Sequence, residues 1–424
     1  MVTFVALPYQ AYHLSHSSLV VGLLSLAELG PLLVTAFIGG ALADAVDRRM
    51  LIRLTEAGMG LASVALLANA LVARPALWVL FACAALFATL DGLQRPSLEA
   101  LVPRIVESDD LPATSALLSL RTDVGMIAAP AVAGVVIAAG GLPVTYAIDV
   151  VSFVLSLGVL AKLGAAPPAS DEGELSLRAV REGLTYAWSR KDLLGSYLVD
   201  MNATFFGMPN ALFPQLAVHL GGPAALGVLY AAPAVGSFVV SLTSGWTSRV
   251  RRHGRMIAAA AGIWGIGIIG LGLAPSLGLA ALSLVLAGAG DMVSGLGRMT
   301  MWNQSIPDAL RGRMAGIEML SYSSGPTLGN VESGLVEGLA GLRTTIVSGG
   351  VACIVGTIAL SLAIPAFRGY DAARGKLMRR DPGPQPLLAE HAETSPVRTD
   401  TALGSPYLGR AGERPRCDGA GGPG

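Results

Sequence analysis

Long apolar stretches follow one another through most of the chain, separated by short polar segments. A helix needs about 20 residues to cross the hydrocarbon core of a bilayer. Stretches of this length occupy 17–43, 50–72, 76–97, 113–140, 142–163, 193–218, 223–247, 255–274, 277–302, 310–338 and 342–367. Residues 1–12 form a further apolar piece that is too short to span, and it lacks the features of a signal peptide. The pattern predicts an all-α integral membrane protein.

Composition agrees with this prediction. The 424 residues are 53% hydrophobic and only 14% charged, whereas soluble domains carry about a quarter charged residues. A water-soluble globular protein is therefore excluded. The three cysteines and five histidines are dispersed along the chain, so we expect no disulfide framework, no metal site and no cofactor.

Lysine and arginine lie almost entirely in alternate loops, which sets the predicted orientation. The opposite side holds only Arg74 and Arg343. We expect a multi-pass protein of the bacterial cytoplasmic membrane, with both termini cytoplasmic. The residues of the basic side, apart from those of the basic tail after Phe367, are Arg48, Arg49, Arg53, Arg104, Arg178, Arg181, Arg190, Lys191, Arg249, Arg251, Arg252, Arg255, Arg311 and Arg313.

The chain also contains an internal repeat. Residues 8–14 read PYQAYHL and residues 214–220 read PQLAVHL, in one register. Further correspondences pair Gly22 with Gly227, Gly40 with Gly245, Pro103 with Pro307 and Pro130 with Pro326. Parallel repeats of six helices occur in transporters whose halves rock about a site near the bilayer midplane.

The repeat divides the chain into four predicted parts. A first six-helix half covers 1–163, and a linker with an amphipathic helix covers 164–192. A second half covers 193–367, and a disordered cytoplasmic tail covers 368–424. Comparison of the halves predicts that the first helix is incomplete at its start.

The loop between the second and third spans carries the sequence GGALADAVDRR, from Gly39 to Arg49. Here the chain resembles the major facilitator superfamily, whose signature in this loop is G-x-L-A-D-x-x-G-R-[RK]. Asp47 replaces the usual glycine, as in the branch that resembles siderophore exporters and macrolide efflux proteins. The resemblance covers about 1–367 and implies the superfamily's fold, two six-helix bundles related by a pseudo-two-fold axis. It also implies a conformational latch; the alternative is a solvated charge cluster. The latch residues are Gly40, Asp44, Asp47, Arg48 and Arg49.

A second motif lies in the fifth predicted span, where Gly125, Pro130 and Gly134 belong to GMIAAPAVAG. It resembles the superfamily's antiporter motif, G-x-x-x-G-P-x-x-G-G, with Ala129 in place of one glycine. The resemblance implies export coupled to proton entry. A role in helix packing alone is the alternative, because proline and small residues are common in membrane helices.

Charged residues inside spans are costly and suggest function. Glu28 lies near the middle of its span. Asp91 and Arg95 are four apart and share a helix face, whereas Arg121 and Asp123 are two apart and do not. We expect a proton or substrate site among these five residues; structural pairing between helices is the alternative for each. Aromatic candidates for a cavity wall are Tyr9, Tyr12, Tyr197, Phe205, Phe206, Phe213, Tyr230 and Trp302.

No phosphate-binding G-x-x-x-x-G-K-[ST] loop and no catalytic constellation occur in the sequence. We therefore expect a secondary active transporter rather than an enzyme or an ATP-driven pump, and the resemblance favours a proton-coupled exporter of a small organic molecule. Proton-linked nutrient uptake and a non-transporting receptor or scaffold are the alternatives. The expected partners are a small-molecule substrate, protons and the lipid bilayer. We expect a monomer that binds no nucleic acid.

Overall fold

The fold is known from a computed structural model, which describes residues 2–106, 110–162, 186, 188–306 and 311–371. Within these ranges, side chains are described except at 36–45, 99–105, 111–112, 116, 248 and 311–320. All regular structure in the described ranges is helical. Almost all of the predicted linker and the tail beyond Asp371 lie outside the described residues.

The first half contains five helices by hydrogen-bond pattern. They are α1 (Val2–Ser15), α2 (Ser18–Ala45), α3 (Arg48–Leu71), α4 (Leu77–Ile105) and α5 (Leu111–Leu160). The bend in α5 occurs at Gly141, where φ is 73° and ψ is −177°. Such a conformation suits glycine because it has no Cβ. The bend divides α5 into two limbs that correspond to the predicted spans 113–140 and 142–163.

The second half contains eight helices and two short 3₁₀ segments. They are α6 (Lys191–Gly207), the 3₁₀ segment Asn210–Leu212, α7 (Phe213–Leu220), α8 (Pro223–Leu242), the 3₁₀ segment Ser244–Arg249, α9 (His253–Leu273), α10 (Leu277–Ser305), α11 (Arg311–Ala340), α12 (Leu342–Ala363) and α13 (Pro365–Arg368). In the described part of the chain, eight helices are long and apolar enough to cross a membrane. The all-α membrane fold is confirmed.

The predicted continuous span over 193–218 is wrong, because the structure breaks it into α6 and α7. The break lies at Met208 and Pro209, and proline has no N–H to continue a helix. Breaking a membrane helix leaves backbone groups that need other partners. The indole Nε1 of Trp264 donates to the carbonyl oxygen of Gly207 at 2.8 Å, which satisfies one of them.

Four tight turns join helices at the same end of the bundle, which we call the turn end. They contain His16 (φ 51°), Gly141, Gly222 (φ 79°) and Gly341 (φ 81°). His16 and Gly222 occupy matching points of the repeat, and so do Gly141 and Gly341. We call the opposite end, where Arg48, Arg190 and Arg249 lie, the arginine end. The internal repeat of the sequence is therefore also present in the structure, as tight turns at equivalent positions of the two halves.

Candidate functional site

The two halves meet along two pairs of helices, α2 with α11 and α5 with α8. A Cβ on Gly22 would lie 2.8 Å from the carbonyl carbon of Asn330 and 3.0 Å from the Cα of Val331. A Cβ on Gly134 would lie 2.7 Å from the Cα of Gly227. Real Cβ atoms do not come so close, so both contacts require glycine. Small residues at such crossings let membrane helices approach closely.

These two contacts are related by the internal repeat. Gly22 corresponds to Gly227, and the Pro130–Pro326 correspondence places Gly134 opposite Asn330 in the alignment of the halves. The antiporter-like motif therefore supplies one of two matching contacts between the halves.

A chain of polar side chains extends across the halves at the turn end. The Ser18 hydroxyl donates to Oε1 of Gln215 at 2.7 Å. Nε2 of Gln215 in turn donates to Oε1 of Glu337, also at 2.7 Å. Ser18 lies on α2 of the first half, whereas Gln215 and Glu337 lie on α7 and α11 of the second. The chain of bonds therefore ties the halves together.

Asn330 makes a second polar connection, one turn or more deeper in the bundle. Its Nδ2 donates to the Ser25 hydroxyl at 3.2 Å, and its Oδ1 accepts from the backbone N–H of Ala211 at 3.1 Å. One buried amide thus joins α2, α11 and the broken segment between α6 and α7. Sequence reasoning missed Asn330 and Gln215; their only signal was their position in the repeat.

At the arginine end, two arginines of α3 donate to backbone carbonyls of the same half. Arg49 Nη2 donates to the carbonyl of Ala161 at 3.0 Å, and Arg53 Nη2 donates to that of Leu160 at 2.8 Å. These arginines satisfy the last carbonyls of α5, which suits the negative end of its dipole. The hydrogen bonds of Ser18 and Asn330 that join the halves lie toward the opposite end, the turn end.

The latch residues are only partly described. Gly40 and Asp44 lie on α2 in the stretch without described side chains. Asp47 is the N-cap of α3, where its Oδ1 accepts from the N–H groups of Arg49 at 2.8 Å and Met50 at 3.3 Å. Arg48 is buried. The described contacts of Asp47 are those of a helix cap, and its role in a latch remains a prediction.

An aromatic cluster and a carboxylate come together where the halves approach each other. The Tyr230 ring on α8 makes edge contacts with Phe4 on α1, at 5.5 Å between centroids, and with Phe213 on α7, at 5.1 Å. The Tyr230 hydroxyl donates to the carbonyl of Asn210 in the break at 3.3 Å. Glu28 on α2 lies within electrostatic range of the Tyr230 phenol. We call Glu28, Phe4, Phe213 and Tyr230 the aromatic–carboxylate site.

This site receives residues from both halves, since Phe4 and Glu28 belong to the first and Phe213 and Tyr230 to the second. Glu28 is half-buried, and within the described structure no hydrogen bond or ion pair engages its carboxylate. Phe4 is 59% exposed although it contacts Tyr230 of the opposite half, so much of its ring is not covered by protein. The sequence had selected Glu28, Phe213 and Tyr230 separately; it gave no signal for Phe4.

A second carboxylate, Asp291, lies on α10. Asp291 is exposed and lies seven residues before Arg298, on the same helix face. That face points toward α6, because Arg298 forms an ion pair with Asp200, and Nε1 of Trp302 donates to the Ser196 hydroxyl at 3.1 Å. The Arg298–Asp200 pair is buried and holds the second half together.

The remaining predicted charges are not joined into one site. Asp91 and Arg95 are both exposed on α4, on the side opposite Trp78 and Leu86. Trp78 and Leu86 are apolar and exposed, which suits contact with lipid, so the charged face lies on the other side of the helix. Although Asp91 and Arg95 share this face, no ion pair joins their side chains within the described structure.

On α5, one of the two predicted charges, Arg121, lies at the edge of an open groove. Arg121 is exposed and lines this apolar groove of about 520 Å³ together with Val2 and Gly125. Asp123 is half-buried, and the groove lining does not include it. A metal-binding group of three or more acidic, histidine or cysteine side chains does not occur among the described residues.

Two halves of membrane-spanning helices, joined by hydrogen bonds toward one end and sharing a site that both halves build, define a membrane transporter of the major facilitator fold. The chain belongs to the transmembrane secretion effector family, whose model matches residues 1–395.

Comparisons with individual proteins agree. The chain is 28% identical over 347 residues to the enterobactin exporter EntS of Shigella boydii serotype 4, covering 81% of this chain and 82% of the relative. It is 28% identical over 350 residues to EntS of Citrobacter koseri, covering 82% and 83%.

Solved structures of membrane transporters share the fold. The nucleoside transporter NupG superimposes with a TM-score of 0.69 at 13% identity, covering 86% of this chain and 94% of that one. The peptide transporter POT superimposes with a TM-score of 0.67 at 13% identity, covering 87% and 92%. The predicted fold class and superfamily are thereby confirmed.

Proposed function

We propose that this protein exports a small organic molecule by alternating access, and that proton entry drives the export. The observation that carries the proposal is the aromatic–carboxylate site, because residues of both halves build it and Glu28 contributes a carboxylate without a partner within the described structure. Export is supported by the family's description as a secretion effector and by relatives named as exporters.

We place the arginine end in the cytoplasm, following the distribution of basic residues. The turn end then faces outward, and the structure corresponds to a state closed on the outside. In this orientation both termini are cytoplasmic, and the halves 1–163 and 193–367 move about the site between them. The protein would act as a monomer without a resident cofactor or an enzymatic step.

The proposed cycle uses one carboxylate for two tasks. Ionised Glu28 takes part in holding the substrate while the site opens to the cytoplasm. After the halves rock and the site opens outward, a proton from outside neutralises Glu28. The neutral carboxyl group costs less to bury than the ion, which favours return to the state closed on the outside. Proton release to the cytoplasm completes the cycle.

The experiment uses cells lacking the gene, complemented by the full chain or by its Glu28→Gln variant. We expect wild-type protein to lower accumulation of its substrate and an uncoupler to abolish this effect, while Glu28→Gln fails at equal membrane abundance. The substrate is found with a panel of siderophores and antibiotics. Accumulation that stays the same with and without the protein across the panel would contradict export, and export insensitive to the uncoupler would contradict proton coupling.

A further inference from the structure

We propose that the aromatic–carboxylate site selects organic cations: molecules with a positively charged nitrogen or phosphorus centre carried on an apolar body. The inference deepens the proposed function and rests on it for the claim that the bound molecule is exported. The binding claim itself depends only on the four side chains Glu28, Phe4, Phe213 and Tyr230.

The first observation concerns the partners of acidic side chains in this bundle. Asp149 accepts hydrogen bonds from Thr3 and Ser63, both at 2.6 Å. Asp200 is paired with Arg298. Glu28, although half-buried, has no such partner within the described structure. A carboxylate withdrawn from water is stabilised by an opposite charge, and a cationic ligand would supply it.

The second observation is the arrangement of rings beside this carboxylate. Aromatic faces attract cations, most strongly where the cation loses its water. Tyr230 is held between Phe4 and Phe213 by edge contacts, and its hydroxyl is fixed on Asn210. Much of the Phe4 ring is not covered by protein. An apolar body can therefore rest on Phe4 while its cationic centre lies between the ring cluster and Glu28.

The third observation is the charge of the surroundings. Arg298 is engaged by Asp200, and Asp291 adds an exposed carboxylate on the face of α10 that also carries Arg298. An anion at Glu28 would meet a like charge, which discriminates against it at close range. Charge and ring chemistry thus favour the same class of ligand.

A pair of probes with nearly the same shape and opposite charge tests the proposal. Tetraphenylphosphonium is a cation and tetraphenylborate an anion, and each carries four phenyl rings. Binding of each to the full chain in lipid nanodiscs is measured by equilibrium dialysis, with empty nanodiscs subtracted. We expect the cation to bind more tightly than the anion by about tenfold or more, and Glu28→Gln to abolish this preference.

Two variants make the test specific. Glu332→Gln neutralises another half-buried carboxylate, on a side of α11 turned away from α2, and should leave the preference unchanged. Tyr230→Leu removes the central ring but keeps the carboxylate, and should weaken cation binding about tenfold. If Glu28→Gln does not fold, as judged by size-exclusion chromatography, Tyr230→Leu alone decides the test.

The proposal is overturned if the anion binds as tightly as the cation, or if neither Glu28→Gln nor Tyr230→Leu changes cation binding. Its failure differs from failure of the exporter proposal. If the protein binds cations selectively but does not export in energised cells, the cation site stands and the exporter proposal fails. If energised cells export some other solute and the protein shows no preference for cations, the exporter proposal stands and the cation site fails.

Discussion

Gly134 and Gly227 touch backbone to backbone across the two halves: a Cβ on Gly227 would lie 2.7 Å from the carbonyl oxygen of Pro130 and 3.0 Å from the Cα of Gly134. The proline of the antiporter-like motif therefore presents its carbonyl to the opposite half. In physical terms the motif acts here as a close-packing surface, and its part in export remains a prediction. Coupling to protons does not follow from this contact.

Gly134→Ala should open the turn end. The added methyl group must displace backbone atoms of α8, and overpacking of this kind costs about 1–3 kcal/mol. We expect the balance between the two states to shift about tenfold toward the state open at this end. Spin labels on exposed Leu71 and Leu273, introduced as cysteines in a background without native cysteines, would report a longer distance between the halves.

Gly125→Ala is the matched control from the same motif. No atom lies within 4 Å of a Cβ at that position, so the distance distribution should stay at its wild-type value. Equal effects of the two substitutions would show that the motif does not act through close packing.

Asn330→Ala should also weaken closure of the turn end, because it leaves the Ala211 N–H and the Ser25 hydroxyl without their amide partner. An unsatisfied buried group costs about 1–3 kcal/mol. Ser25→Ala removes only the side-chain bond to Asn330, so its effect should be smaller. The same pair of spin labels measures both variants, and a larger effect of Ser25→Ala would contradict the central position given to Asn330.

Arg298→Met should destabilise the second half strongly, since it leaves Asp200 buried without its ion-pair partner. Breaking a buried pair from one side costs about 3–5 kcal/mol, whereas replacing both charges by apolar residues is often neutral. The double variant Asp200→Leu, Arg298→Met should therefore recover much of the lost thermal stability in detergent. A double variant no more stable than Arg298→Met would show that the pair is not the main interaction of these side chains.

Trp264→Phe should loosen the break between α6 and α7, because the Gly207 carbonyl loses its indole donor. The expected cost is about 1–3 kcal/mol, visible as faster hydrogen exchange over 207–212. Trp78→Phe is the control, since Trp78 is 71% exposed and far along the chain from the break. Unchanged exchange in Trp264→Phe would mean that another contact holds the break.

Much of the fold was predictable because the bilayer directly determines where apolar stretches and basic residues lie along the chain. A span must be long and apolar, so ten of the eleven predicted stretches correspond to helices or helix limbs. The turns at Gly141 and Gly341 lie at predicted boundaries between spans. The repeat also anticipated that Gly22 and Gly227 would have equivalent surroundings.

The rest depended on three-dimensional contacts that a single sequence does not encode. Hydropathy does not reveal a break inside an apolar stretch, so Met208 and Pro209 were included in one predicted span. Glu28 was selected for its depth, but its neighbours Phe4 and Tyr230 lie far away in sequence and on different helices. Nothing in the sequence sets Asp149 apart, and only the structure gives its hydrogen bonds to Thr3 and Ser63, which suit a structural role.

The tight turns at the turn end limit how this protein can move. Each of these turns is so short that the two helices it joins can hardly move relative to each other. The pair must therefore move together as one hairpin. Any rearrangement that exposes the interior to the other side then has to be absorbed between these hairpins, for example at the arginine end, where residues 243–252 form a long connection between α8 and α9. Ligands, lipids or antibodies that bind this connection would therefore slow the whole cycle, even when they bind far from Glu28.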